Sequence, residues 1–285
     1  MEIRRLPASA GAEWLLGGFG LLRRSPFGLG AMGALYGALA VLLSLAATRD
    51  VSLFMALELL LVLIGPLLIA GMVFAASRVD AGGQAEPGQL LQGVREGKVV
   101  SLLATLLPQV VLTILAVLLL VVVIGPQQLM QMGDAVEKLQ GQATPDPELL
   151  RSLPFGRLAL WLLLVFVAAI ATSFFTFVAV PDIMLSGSRA WDAMRMSFRA
   201  CVRNLPALIV FFILTMIAAM AIYFAVMLVG LVFRAAFGDF AMQAVVQLLS
   251  TAVLMPVVTG AMYFAWKQMV GRIAVPAAPI DQLQA

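Results

Sequence analysis

Between Ser188 and Asn204 the chain reads SRAWDAMRMSFRACVRN, and Arg189, Arg195, Arg199 and Arg203 recur in it at helical spacing. Placed at 100° steps, these arginines and Asp192 fall within about 120° on one side of a helix. Trp191, Met194, Phe198, Cys201 and Val202 are expected on the opposite side. Guanidinium forks match phosphate oxygens in geometry. The chemistry this spacing predicts is contact with anionic phospholipid headgroups by a helix whose apolar side sinks into the acyl boundary. Arg23 and Arg24 are candidates for the same contact in an amino-terminal segment, EWLLGGFGLLRRSP. Asp192, three residues before Arg195, is placed to pair with it.

Other chemistry is thinly provided for. The chain has no His and one Cys. The usual general base near neutral pH and the imidazole metal ligands are therefore missing. Cys201 alone forms neither an intrachain disulfide nor a multi-thiolate zinc site, and it reads as a buried, inert thiol. No nucleophile motif and no Gly-rich phosphate loop is present. The expectation is a non-enzymatic protein with no cofactor, no metal and no nucleic-acid partner. Its partners would be membrane lipid and, in addition, another membrane protein or a second copy of itself. Transport of a lipid-like or small amphiphilic substrate is the alternative.

The elements that position these residues follow from composition. Hydrophobic residues make up 62% of the 285 and charged residues 12%, with a mean hydropathy of +1.04, which is the balance of an integral membrane protein. The apolar residues lie in blocks near the roughly 20 needed to cross a bilayer as a helix, without the alternation of a β-barrel. The expected fold is all-α, a single membrane domain over 1–285. Its six spans run at about 27–47, 52–76, 99–124, 158–180, 205–233 and 242–270. They form three hairpins, each preceded by a short cytoplasmic interfacial amphipathic helix: EWLLGGFGLLRRSP, GQLLQGVREGK and the Arg189 stretch. An outer segment, about 126–156, is read as a short helix over 127–140 followed by a flexible linker, and 273–285 as a flexible tail. The first apolar run is span-length and reads as a retained span and not a cleaved leader.

Side-of-membrane assignment comes from basic residues, which are retained in the cytoplasm. With both termini inside, only Arg49, Lys138, Arg151, Arg157 and Arg234 of the 18 Lys and Arg fall outside. Within the spans Glu58 is the one ionisable residue that stands out, about 9 Å below the outer boundary at 1.5 Å per residue. It is expected to reach the interface or pair with Arg49. Gln109 and Gln247 are expected to hydrogen-bond across helices, and Gly33 and Gly37 to allow close helix approach. Pro66, Pro108 and Pro256 loosen their spans. Asp182 is expected to cap a helix or hold an Arg. Spans two and six share a pattern: Pro66, Ala70, Gly71, Met72, Phe74 and Ala75 recur as Pro256, Gly260, Ala261, Met262, Phe264 and Ala265, which marks an internal repeat.

Two stretches, MEIRRLPASAGAEWLLGGFGLLRRSP and PDIMLSGSRAWDAMRMSFRACVRN, make the chain resemble uncharacterised six-span bacterial inner-membrane proteins. More loosely it is similar to the membrane domain of some glycerophosphodiester phosphodiesterases. The resemblance implies topology and a bacterial inner-membrane location, and brings no catalytic residue or cofactor with it. Reporter fusions test the orientation. A cytoplasm-dependent reporter is expected to work at the carboxyl terminus and a periplasm-dependent one near Gly141; the reverse pattern would invert the assignment.

Overall fold

The computed structural model describes residues 3–140 and 154–270, and no strand occurs among the described residues. Twelve α-helices follow one another: α1 (Ala10–Arg24), α2 (Pro26–Ala47), α3 (Val51–Asp80), α4 (Gln92–Arg95), α5 (Val99–Leu103), α6 (Leu107–Ile124), α7 (Pro126–Gln140), α8 (Phe155–Thr176), α9 (Ala179–Ser186), α10 (Ala190–Arg203), α11 (Leu205–Phe237) and α12 (Asp239–Val270). Two 3-10 turns, Pro87–Leu91 and Ala104–Leu106, precede α4 and α6. Six stretches are long and apolar enough to cross a membrane, Pro26–Ala47, Val51–Asp80, Val99–Ile124, Phe155–Ser186, Leu205–Phe237 and Asp239–Val270. This is a multi-pass membrane protein. The linker expected after 140 and the tail at 273–285 lie outside the described residues.

Helix boundaries have local causes. Asp50 caps α3 by accepting a hydrogen bond from Leu53 N at 2.9 Å, as short acidic side chains do at helix starts. Gly238, with φ of +86°, is the only residue between α11 and α12, a backbone setting that a side chain resists. The third span, expected as one helix, tightens into a 3-10 turn before α6. Pro108 has no N–H for the carbonyl of Ala104, and Leu107 N bonds to that carbonyl instead. The fourth span, Phe155–Ser186, is interrupted after Thr176, because Pro181 likewise has no N–H for Phe177. The chain restarts as α9.

Packing at the end that carries α1, α4 and α10, the basic end, departs from the expectation of three surface helices. α1 is wedged between α11 and α12. A Cβ on Gly11 would meet Ala207 O and Phe211 N, and one on Gly18 would meet Val257 O and Ala261 N. Those glycines let backbones touch, and they carry Trp14 to 0% exposure, where its indole N–H donates to Gln268 Oε1 at 2.8 Å. EWLLGGFGLLRRSP is therefore covered by protein on the side of Trp14, Gly18 and Leu21, while Glu13, Leu16, Gly20, Arg23 and Arg24 stay exposed. GQLLQGVREGK is a 3-10 turn plus one helical turn laid on α3, with Leu90 backbone against Gly71. Gly71 receives the Pro87–Leu91 turn and Gly260 receives α1, though the two glycines are one position apart in the matched pattern, where Gly71 answers to Ala261.

Along the apolar region α2 lies on α12, with Gly33 and Gly37 against Thr251. α3 packs on α2, α6 on α8, and α11 on α12. At the basic end the last turns of α12 gather the other elements. Lys267 Nζ and Tyr263 OH donate to Asp80 Oδ2 at 2.6 and 2.9 Å. Met269 O accepts from Arg4 N at 3.0 Å. Gly18→Ala is expected to destabilise the protein by about 1–3 kcal/mol, since the backbone of α12 has to yield. Gly20→Ala, whose Cβ meets nothing within 4 Å, should be neutral or stabilising by up to about 1 kcal/mol. Thermal unfolding of the two variants in detergent checks this; equal midpoints would remove the wedge argument.

Candidate functional site

Two places hold the residues singled out from the sequence. The first is α10. Its buried side is Ala193, Met194, Met196, Ser197, Ala200 and Cys201, packed on α8 and α9. Ser197 repairs the break between those helices: its hydroxyl donates to Phe174 O at 2.7 Å and accepts from Val178 N at 3.0 Å. Trp191, 61% exposed, and Val202 stand outside the protein contact, which small residues bring close. One expectation is corrected here. Arg195 does not pair with Asp192 but lies over the Trp191 ring, 5.3 Å from its centroid, a favourable cation–π placement.

α10 therefore has three sectors. One faces protein, one carries Trp191, Phe198 and Val202 at its apolar flank, and one presents Arg195, Arg199 and Arg203 to solvent. Arg189 is exposed just before the helix. Asn204, fully buried at the far end, accepts from Leu6 N at 2.8 Å and donates to Arg4 O at 3.0 Å and Ala200 O at 2.9 Å. This clamp holds the amino-terminal segment beside Arg203, whose guanidinium reaches Ile3 O at 3.5 Å. Arg4 and Arg5, both exposed, thus extend the basic surface, a juxtaposition across 200 residues that sequence spacing does not reveal. Arg23 and Arg24 are exposed at the end of α1, where Arg24 stands 3.9 Å from Asp80. Asp182 holds no arginine: its carboxylate, 1% exposed, accepts from Trp266 Nε1 at 3.0 Å.

The second place is a cavity of about 490 Å³ among α2, α3, α6, α9 and α12. It brings together Glu58 and Gln109. Tyr36, Thr105 and Thr176 add hydroxyls to it. The threonine hydroxyls donate to Leu102 O and Ser173 O. Among the described residues the side chains of Glu58, Gln109 and Tyr36 have no hydrogen-bond partner, and Glu58 forms no ion pair with Arg49, one of the two arrangements expected for it. Gln247 lies elsewhere, on α12 beside Gly37. Its carbonyl accepts from Thr251 Oγ1 at 2.7 Å, and no cross-helix hydrogen bond of its side chain is present among the described residues. Tyr36 and Thr105 were not singled out in the sequence; a Tyr halfway along an apolar span was the available signal.

Among the described residues no group of three His, Cys, Asp or Glu is placed to hold a metal ion. No protein family matches the chain, and neither does any curated protein or solved structure.

Burial pushes the Cys201 thiol up to about 12, against a smaller opposing effect of its hydrogen bond with Ser197. Only the thiolate reacts with maleimides. Because Cys201 is also fully buried, the folded protein is expected to label much more slowly than the denatured chain between pH 7 and 9. Labelling of the native protein as fast as of the denatured chain would show that α10 does not stay seated on α8 and α9.

Proposed function

We propose that the chain is a non-enzymatic protein of a bacterial inner membrane that binds lipid at its cytoplasmic face. In this reading the six spans form three hairpins and both termini are cytoplasmic. The arginines of α10, with Arg23 and Arg24, contact anionic phospholipid headgroups. The observation that carries the proposal is the division of α10 into a protein-facing side, an apolar flank with Trp191 and an arginine side. A helix anchored by protein on one side holds its remaining two sides at a fixed height. An aromatic flank suits the headgroup boundary and arginines suit its phosphates. The resemblance to six-span bacterial inner-membrane proteins and the basic-residue asymmetry point the same way. The lack of His in the sequence argues against catalysis, and the exposed apolar length of α11 leaves room for a membrane-protein partner or a second copy.

A second reading, transport of a lipid-like or small amphiphilic substrate, is favoured by one observation: the cavity that joins Glu58 and Gln109.

Replacing Arg195, Arg199 and Arg203 together by Gln tests the lipid contact in the full chain. Each basic residue near an anionic surface contributes about 1 kcal/mol, so the variant should retain anionic lipid up to about a hundredfold less tightly, as counted by native mass spectrometry. At physiological ionic strength the difference should shrink, since the field decays over about 8 Å. Equal retention at low salt would mean that these arginines meet protein.

A further inference from the structure

We infer that the cavity among α2, α3, α6, α9 and α12 is a binding site for an ammonium group carried on an apolar tail, with Glu58 as its counter-ion. The inference rests on the cavity alone and stands whether or not the arginines of α10 bind lipid.

Depth comes first. Tyr36 lies ten residues from the start of α2 and eleven from its end, and Glu58 seven residues into α3. At 1.5 Å per residue these positions are about 15 and about 10 Å from the nearer helix end. A carboxylate at such depth is expensive, and the usual solution is a partner of opposite charge or a functional ligand. Among the described residues no Lys or Arg lines this cavity.

Among the polar residues described along the cavity, the Glu58 carboxylate is the one charged group. Glu58, Val62 and Pro66 recur every four residues on one side of α3. Pro66 has no N–H to give to the carbonyl of Val62, so that oxygen lies one turn from the carboxylate without its helical donor. Tyr36 and Gln109 contribute a hydroxyl and an amide. An ammonium has donors and no acceptor and carries the charge that the carboxylate lacks. An anion would meet Glu58 directly.

The remaining wall is apolar, with Leu61, Ile69, Leu106, Val180 and Met262. The volume is in the range of small-molecule sites, about 300–1,000 Å³. The cavity is not sealed: Glu58, Val62 and Gln109 are exposed. Its mouth adjoins the exposed apolar residues Leu107 and Val110 of α6, so a tail leaves the site along a surface suited to acyl chains. Gly65 keeps the chamber open, because a Cβ there meets nothing within 4 Å.

The test uses the full chain in phosphatidylcholine nanodiscs and radiolabelled dodecylamine, with adsorption to empty discs subtracted. One saturable site is expected, and dodecanol should displace the amine at least tenfold less well than unlabelled dodecylamine. Glu58→Gln and Gly65→Leu should each weaken binding at least tenfold, the first by removing charge and the second by filling the chamber, while Glu58→Asp stays within a few-fold. Arg195→Gln with Arg199→Gln should leave amine binding unchanged, which separates this site from the headgroup contact. Substituting phosphatidylethanolamine for phosphatidylcholine distinguishes the sources: a lower apparent affinity for dodecylamine identifies an aminolipid as the competing ligand, and no change identifies a free amphiphilic amine. Wild-type affinity in Glu58→Gln, with an unchanged unfolding temperature, would overturn the proposal, as would displacement by dodecanol equal to that by the amine. Should Glu58→Gln fail to fold, Gly65→Leu decides: folded and binding as the wild type, it overturns the site.

Discussion

Gly18 and Gly260 touch almost backbone to backbone; a Cβ on Gly260 would stand 3.1 Å from Gly18 Cα. The rest of the basic end depends on that closeness. It places α1 low enough between α11 and α12 for Trp14 to reach Gln268, and with α1 seated, Arg24 comes beside Asp80 where Lys267 and Tyr263 already converge. Apolar helices have little hydrophobic drive to associate inside lipid, so close van der Waals contact and hydrogen bonds between helices must supply it. The hydrogen bonds made by Tyr263, Trp266, Lys267, Gln268 and Met269 in the last turns of α12 supply that hold on α1, α3, α9 and the amino-terminal segment at once.

How much of this was legible can be argued residue by residue. The six apolar stretches were plain because a bilayer demands length and hydropathy together, and both are local properties. The apolar side of α10 was legible as a stripe, but its division between protein and an exposed flank was not, because a helical wheel sorts residues by polarity. It does not say whether lipid or protein covers the apolar part. Protein wants Ala193, Ser197 and Ala200 there, and a hydropathy count ranks those residues as unremarkable. In α1 the clue existed, since Gly11, Gly17 and Gly18 make a poor surface helix and a good wedge. Its partners, though, were more than 190 residues away. Glu58 and Gln109 were each legible as polar residues in apolar runs. Their meeting in one chamber depends on how α3 and α6 are rotated and on two proline effects, the free carbonyl of Val62 and the 3-10 turn before α6, and neither follows from a single span.

The two candidate sites differ in what they require of the fold. The arginine surface needs only that α10 stay seated, and Ser197 secures this by serving the broken backbone between α8 and α9. The cavity needs several helices to stay apart at one level while they converge at another. α6 pairs with α8 through the apolar region, whereas α3 meets that part of the chain through α5, α9 and the 3-10 turn near the basic end. A bundle joined firmly at one end leaves space further along.

The path of the chain around the basic end closes on itself. The Pro87–Leu91 turn and α4 settle on α3, and α10 settles on α8 and α9, each on helices made just before it; α1 instead settles on α11 and α12, made last among the described helices. Trp14 and Gln268 are 254 residues apart. At about 5–20 residues per second, a ribosome takes on the order of 10–50 s to cover that distance. Throughout that interval the glycine-lined wedge and its indole have no permanent seat. Assembly of this protein in the membrane therefore includes a ring closure in which α1 waits for α12.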